Sequence, residues 1–204
     1  MAIVGKVGAV YVSDVNTAPV SFIDGPCAGD VARKRYQVTN TAHRYWPLDE
    51  TITVKVNTVP VTTGFTLERA GGFVVFEDTL EVGDAVTVSG KALTLVQAGG
   101  FFNWSIDGDG EDAEATTFQS QGWKEFVRTL KGWSGSAEAY WGDRQFFDSL
   151  GQIIVVKLFV DSGASQNCME GFAVVSGDGI EAPVEGLVEE AVDFTGTGPL
   201  YLRF

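Results

Sequence analysis

The sequence predicts a mainly β protein: an antiparallel β-sandwich or barrel with one flanking α-helix over about residues 121–131. Three observations carry that expectation. Short runs of apolar and polar residues alternate with period two and are separated by Gly, Pro, Asn and Asp, the pattern of half-buried strands joined by tight turns. One segment, Trp123 to Leu130, places its apolar residues on a 3.6-residue period instead. Strands do not alternate with helices of about 10–15 residues, which disfavours a parallel βαβ architecture.

Taken in order, Val4, Val7, Val10 and Val12 alternate loosely and mark a first strand. The stretch 13–34 (SDVNTAPV, DGPCAGD, then ARKR) reads as irregular and rich in turns. Strand character resumes from Tyr36 to Thr39, and TAHRYWPLDE gathers His43, Tyr45, Trp46 and Pro47 into a turn with an aromatic lid. Ile52, Val54 and Val56 alternate with Thr51, Thr53 and Lys55. The runs GFTLERAGGFVVFEDTL and DAVTVSGKALTLV continue the β series, with Gly71-Gly72 and Ser89-Gly90 at hairpin distance.

NWSID then leads through an acidic loop, GDGEDAEA, to the helix-like stretch. There Trp123, Phe126, Val127 and Leu130 stand at i, i+3, i+4 and i+7. Lys124, Glu125, Arg128 and Lys131 fall opposite, and Gly132 sits where a C′ glycine stops a helix. A helix of about three turns is marginal alone in water and must cover part of a sheet. RQFFDSLG reads as a helical turn, and IIVVKLFVD (153–161) as a central strand covered on both faces. FAVVSGDGIEAPVEG contains a turn at Ser176–Gly179. The last pair, LVEEAVDFTG and PLYLRF, is split by Thr197-Gly198-Pro199, with a bulge near Glu189-Glu190. No linker and no repeat of about 20–50 residues breaks the chain, so 1–204 is expected to be one domain.

With 45% hydrophobic and 12% aromatic residues, the chain can bury a sizeable core. Its 27 acidic and 14 basic side chains give a formal charge of −13. That excess argues against binding nucleic acid by phosphate neutralisation, which needs Lys and Arg on the approaching face. Cys27 and Cys168 have no CxxC spacing and read as unpaired thiols in a reducing compartment, with one long-range disulfide as the alternative. Lys6 interrupts the first apolar run, so no signal peptide is expected, and no run approaches the roughly 20 apolar residues of a membrane helix.

Reactive constellations are not evident. His43 is the single histidine, beside Arg44, Tyr45 and Trp46, and reads as a turn or interface residue. No GxSxG elbow, Cys–His pairing, GxxxxGK[ST] or GxGxxG is present. Asp107-Gly108-Asp109-Gly110-Glu111-Asp112 resembles a calcium loop, but its sixth position is Asp112 and its twelfth Phe118, where an EF-hand needs Gly and Glu. It reads as a solvated acidic loop. Trp104, Trp123, Trp133 and Trp141 could line a sugar groove, yet their spacing fits core and interface better. No catalytic, cofactor or metal residue is assigned, and no enzyme activity is expected.

The run NWSID … EATTFQSQGWKEFVRTLKGWSGSAEAYW resembles a segment of the major tail tube proteins of bacteriophages with long non-contractile tails, the siphovirus type. GDGIEAPVEGLVEEAVDFTGTGPLYLRF is similar to the closing strand pair of that family. AHRYWPLDE, VNTVPVTTGFTLERAGGFVVF and VTVSG resemble the N-terminal half of one subset. The resemblance implies a β-sandwich or barrel with a flanking helix, and subunits forming rings, typically hexameric, that stack into a hollow tube for DNA. It implies no catalysis and no cofactor. Partners would be further copies of the chain and the tape measure, tail terminator and tail tip proteins. The place would be the virion tail, assembled in the host bacterial cytoplasm, with no membrane and no sequence-specific DNA contact. The segment 13–50 is expected to make inter-subunit or inter-ring contacts, and 107–114 to face the lumen or a ring face. A carbohydrate- or cell-surface-binding β-sandwich module is the alternative.

Overall fold

The computed structural model describes residues 8–117, 119–120, 122–140, 142, 145–160 and 167–203. The chain is mainly β and antiparallel, as the period-two runs predict. In order it forms β1 (Ala9–Ser13), β2 (Val20–Gly29), β3 (Arg35–Val38), a 3-10 turn (Thr41–His43), β4 (Thr53–Val56), β5 (Val59–Val61), β6 (Phe65–Glu68), β7 (Phe73–Phe76), β8 (Val86–Ala92) and β9 (Leu95–Ala98). It continues with β10 (Phe101–Glu114), β11 (Phe126–Tyr140), α1 (Gln145–Asp148), β12 (Ile153–Phe159), β13 (Cys168–Glu181) and β14 (Glu189–Arg203).

Two compact units make up the chain. The first comprises Met1–Ala98, Ile154–Glu170 and Tyr201–Phe204; the second comprises Gly99–Ile153 and Gly171–Leu200.

The first unit contains a sheet of order β5-β4-β8-β2-β3-β7-β6. Its core is Phe22, Tyr36, Val38, Trp46, Val54, Val74, Phe76, Val86, Val88 and Ala92. Alternation explains the choice: Val74 and Phe76 of β7 and Val86, Val88 and Ala92 of β8 are buried while their neighbours are not. The β6–β7 turn needs Gly72 (φ +68), because a Cβ there would lie 2.6 Å from Arg44 Cα. The same unit holds the antiparallel trio β12-β1-β9, with Val10 opposite Leu158 and Ala98. Val10, Val12, Ile154, Val155, Val156 and Leu158 are buried, and the buried Ser13 hydroxyl accepts the Val155 N–H at 2.9 Å. The expected central strand is therefore present; Asp161 at its end, like Val4 and Val7, lies outside the described residues.

The second unit holds β10, β11, β14 and β13 as neighbours in that order. β11 pairs with β14 from Ser134↔Thr195 to Tyr140↔Glu189. Trp133 is buried, lying so close to Gly196 that a Cβ there would approach its Cε2 to 2.2 Å, and its Nε1 donates to Gly198 O at 3.1 Å. Phe146 of α1, itself buried, meets Phe101 and Phe194 edge to face.

Several sequence expectations are corrected. Residues 126–131 are not helical: they open β11, which pairs with β10 across Ala113↔Val127 and Glu114↔Phe126. The 3.6-residue period was real, but Phe, Val and Thr in FVRTL suit a pleated surface, and the long partner strand decided the conformation. Gln121 lies outside the described residues. The helix is α1, within the expected RQFFDSLG turn. The acidic segment 107–114 is strand, not loop. Within the supposedly irregular 13–34, β2 runs for ten residues. A bulge between Phe22 and Gly25, with Asp24 at φ +49, lets β2 leave β8 and take up β3 after Pro26. Residues 89–90, 176–179 and 197–199 pass through β8, β13 and β14 without turning.

Candidate assembly interface

The hairpin β10–β11 falls into two parts. Its base is covered: Ala137, Ala139 and Trp133 are buried. Its distal part, 107–114 against 126–132, is exposed throughout, and β11 has no β14 partner before Ser134. This leaves a two-stranded arm about 20 Å long, at about 3.3 Å per residue. Directly opposed residues share a face. One face carries Phe126, Arg128 and Lys131 opposite Glu114, Asp112 and Gly110. The other carries Val127 and Gly132 opposite Ala113 and Asp109, the register shift between Gly110 and Asp112 falling at Thr129 and Leu130. Arg128 lies 3.7 Å from Asp112, and Lys124 lies 3.1 Å from Glu114. Glu111 O accepts the Thr129 hydroxyl.

The apolar residues expected to cover a sheet instead stand in solvent. Trp123 is 76% exposed and Leu130 71%, and Phe126 and Val127 are exposed as well. An isolated two-stranded hairpin is marginally stable in water, and clustered exposed apolar side chains mark interaction surfaces.

In the first unit a cavity of about 430 Å³ is lined by Tyr11, Val20, His43, Leu95, Lys157 and Phe159, among others. Beneath it lies a buried charge network. Glu170, 2% exposed, accepts from Arg203 Nε at 2.8 Å and from the Tyr45 hydroxyl at 3.0 Å. Lys157 Nζ lies 3.6 Å from the same carboxylate and donates to the Tyr45 oxygen at 2.9 Å. Arg203 also donates to Glu68 and to Ala70 O, and Arg35 pairs with Glu68. Both guanidinium groups lie over the Phe73 ring. Burial, then the Glu170 carboxylate, holds the Tyr45 phenol far above its usual range.

This network can fasten strands together; the observed geometry gives each charge a partner and engages Tyr45 as a hydrogen-bonded phenol. Sequence reasoning missed it. The readable signal was Glu170, an acid set in the apolar CMEGFAVV run, where acids are rarely buried unless paired.

His43 sits in the 3-10 turn, stacked on Phe22 at 4.6 Å, and its carbonyl accepts Trp46 Nε1 at 2.7 Å. Trp46 is core rather than lid. The tryptophans do not form a row: Trp133 is buried, Trp123 is exposed on the arm, and Trp141 lies outside the described residues. Asp107, Asp109 and Asp112 are spread along β10, and no group of three or more His, Cys, Asp or Glu with metal-ligand geometry occurs among the described residues. Cys27 and Cys168 are free thiols. Burial pushes Cys27 up to about 12 and raises Cys168. No helix among the described residues is long and apolar enough to cross a membrane.

No protein-family model matches the sequence, and no curated protein matches it. Among solved structures, a chain from the tail of an empty gene transfer agent particle with C6 symmetry is similar at TM-score 0.45 and 16% identity. That alignment covers 54% of this chain and 87% of the other. A chain from the virion of a native gene transfer agent particle is similar at TM-score 0.45 and 16% identity, over 54% of this chain and 89% of that one.

Proposed function

We propose that the chain is a virion structural protein of a phage-like tail, which assembles with copies of itself into stacked rings forming a hollow tube. The rings are hexameric and DNA passes through the lumen. The observation that carries this reading is the distal β10–β11 arm. It exposes Trp123, Phe126, Val127 and Leu130 on a ribbon with no third strand among the described residues, an arrangement that becomes stable when a partner covers it. The order of the tail-tube-like motifs in the sequence supports the same reading. The tail is of the siphovirus type, assembled in the host cytoplasm, and its end partners are the tape measure, terminator and tip proteins. Both units of 1–204 act as one building block, and 13–50 contributes inter-subunit or inter-ring contacts.

The formal charge of −13 suits a conduit, because like charge keeps a duplex off the wall within about a Debye length, roughly 10 Å at 0.1 M salt. Chemistry on a bound substrate is not part of this role.

Negative-stain microscopy and sedimentation of the purified protein test the reading. Tubes or six-fold rings are the expected outcome. Monodisperse monomer at every concentration up to the solubility limit would refute it.

A further inference from the structure

The cavity in the first unit and the arm in the second have complementary chemistry, with basic groups at the cavity surface and an excess of carboxylates on the arm. Tyr11, Val20, Leu95 and Phe159 give the cavity apolar walls; among the described residues its charged lining is Arg44 and Lys157, the latter 3.6 Å from the buried Glu170 carboxylate. Arg44 is held in place by donating to the carbonyls of Val38 and Thr39. Lys157 Nζ lies 4.9 Å from the Phe159 ring centre. The arm carries Asp107, Asp109, Glu111, Asp112, Glu114 and Glu125 against Lys124, Arg128 and Lys131, an excess of carboxylates. At its turn stands Trp123, the largest exposed apolar side chain on the arm.

We propose that Trp123 of one copy seats in the His43–Lys157 cavity of a second copy, with the arm's carboxylates facing that copy's Arg44 and Lys157. The proposal rests on the self-assembly reading above. Tryptophans seated in desolvated pockets are enriched among interface anchors, and the surrounding charges set register and partner choice. The contact is heterologous: the surface that inserts differs from the surface that receives. Such contacts close into rings or propagate as filaments rather than stopping at a dimer.

Cross-linking tests the contact without touching the anchor. The variant Lys124→Cys/Ala42→Cys places one thiol beside Trp123 and one on the exposed cavity rim. Under a mild oxidant it gives a ladder of disulfide-linked multimers, whereas each single variant gives none. An equal mixture of the two single variants gives linked dimers and nothing larger. Trp123→Ser raises the concentration needed for assembly about tenfold or more, and Trp123→Phe restores most of it. Tubes that form from the double variant without the ladder, or Trp123→Ser protein that assembles like the parent, overturn this inference and leave self-assembly standing. Parent protein that never assembles overturns both.

Discussion

Two hairpins in this molecule use similar residues and end in opposite environments. In β6–β7, Phe65 faces Phe76 and Leu67 faces Val74, and the inward residues Val74 and Phe76 are buried with Trp46 and Val38. In the distal β10–β11 arm, Phe126 faces Glu114 and Val127 faces Ala113, and every residue is exposed. The local pattern is not what separates them. β7 pairs onward with β3 and packs on a core, whereas the arm runs past the end of its third strand. Burial is decided by what lies on the open face, and for the arm the candidate is another molecule.

If that contrast holds, substitutions in the first unit lower stability, and substitutions on the arm lower assembly alone. The largest effect is expected at Glu170. Glu170→Ala strands Arg203 and Lys157 beside a buried site and should cost about 3–5 kcal/mol in urea-unfolding free energy. Loss of less than about 1 kcal/mol would mean that water reaches the network freely.

Next comes the base of the hairpin. Gly196→Ala drives a methyl group into Trp133 and should cost about 1–3 kcal/mol, read from the same unfolding curves. A pH series sharpens the comparison further. Cys27, Tyr45 and Tyr201, all in the first unit, hold their protons more tightly when folded because burial penalises the ionised forms. Above the unfolded thiol value of about 8.5 the folded chain binds more protons than the unfolded one, so stability falls as pH rises. For Cys27 that fall continues to about 12. Cys27→Ala should flatten the decline in urea midpoint between pH of about 9 and 11, and an unchanged slope would exclude this thiol as a cause.

The smallest effect on stability is expected on the arm. Phe126→Ser and Leu130→Ser should change the unfolding free energy of the monomer by within about 0.5 kcal/mol, as exposed positions do. Hydrogen exchange should report the same divide: amides of 126–132 exchange fast in the monomer and slow on assembly, while those of β12 are protected throughout.

What was legible in the sequence follows the same physics. Strands with one buried face, such as β4 around Val54 and β7 around Val74, announce themselves by alternation. The Gly71-Gly72 turn was legible because positive φ favours glycine there. The arm was misread because its apolar residues satisfy a helical period, and because the Gly- and Asp-rich partner GDGEDAEA has low β propensity of its own. Only the long-range pairing with β11 makes it a strand. β2 was hidden by Gly25 and Pro26, residues that serve its bulge and its change of partner. The Glu170 network joins Tyr45, Glu68, Lys157 and Arg203 from distant parts of the chain, and no local pattern announces such a meeting.

Sedimentation velocity of the parent protein beside Phe126→Ser/Leu130→Ser, with urea midpoints measured on both, tests the central claim most directly. The account predicts large assemblies from the parent and monomer from the double variant, at equal midpoints. A double variant that assembles as the parent does would show that the arm is not the surface by which copies join.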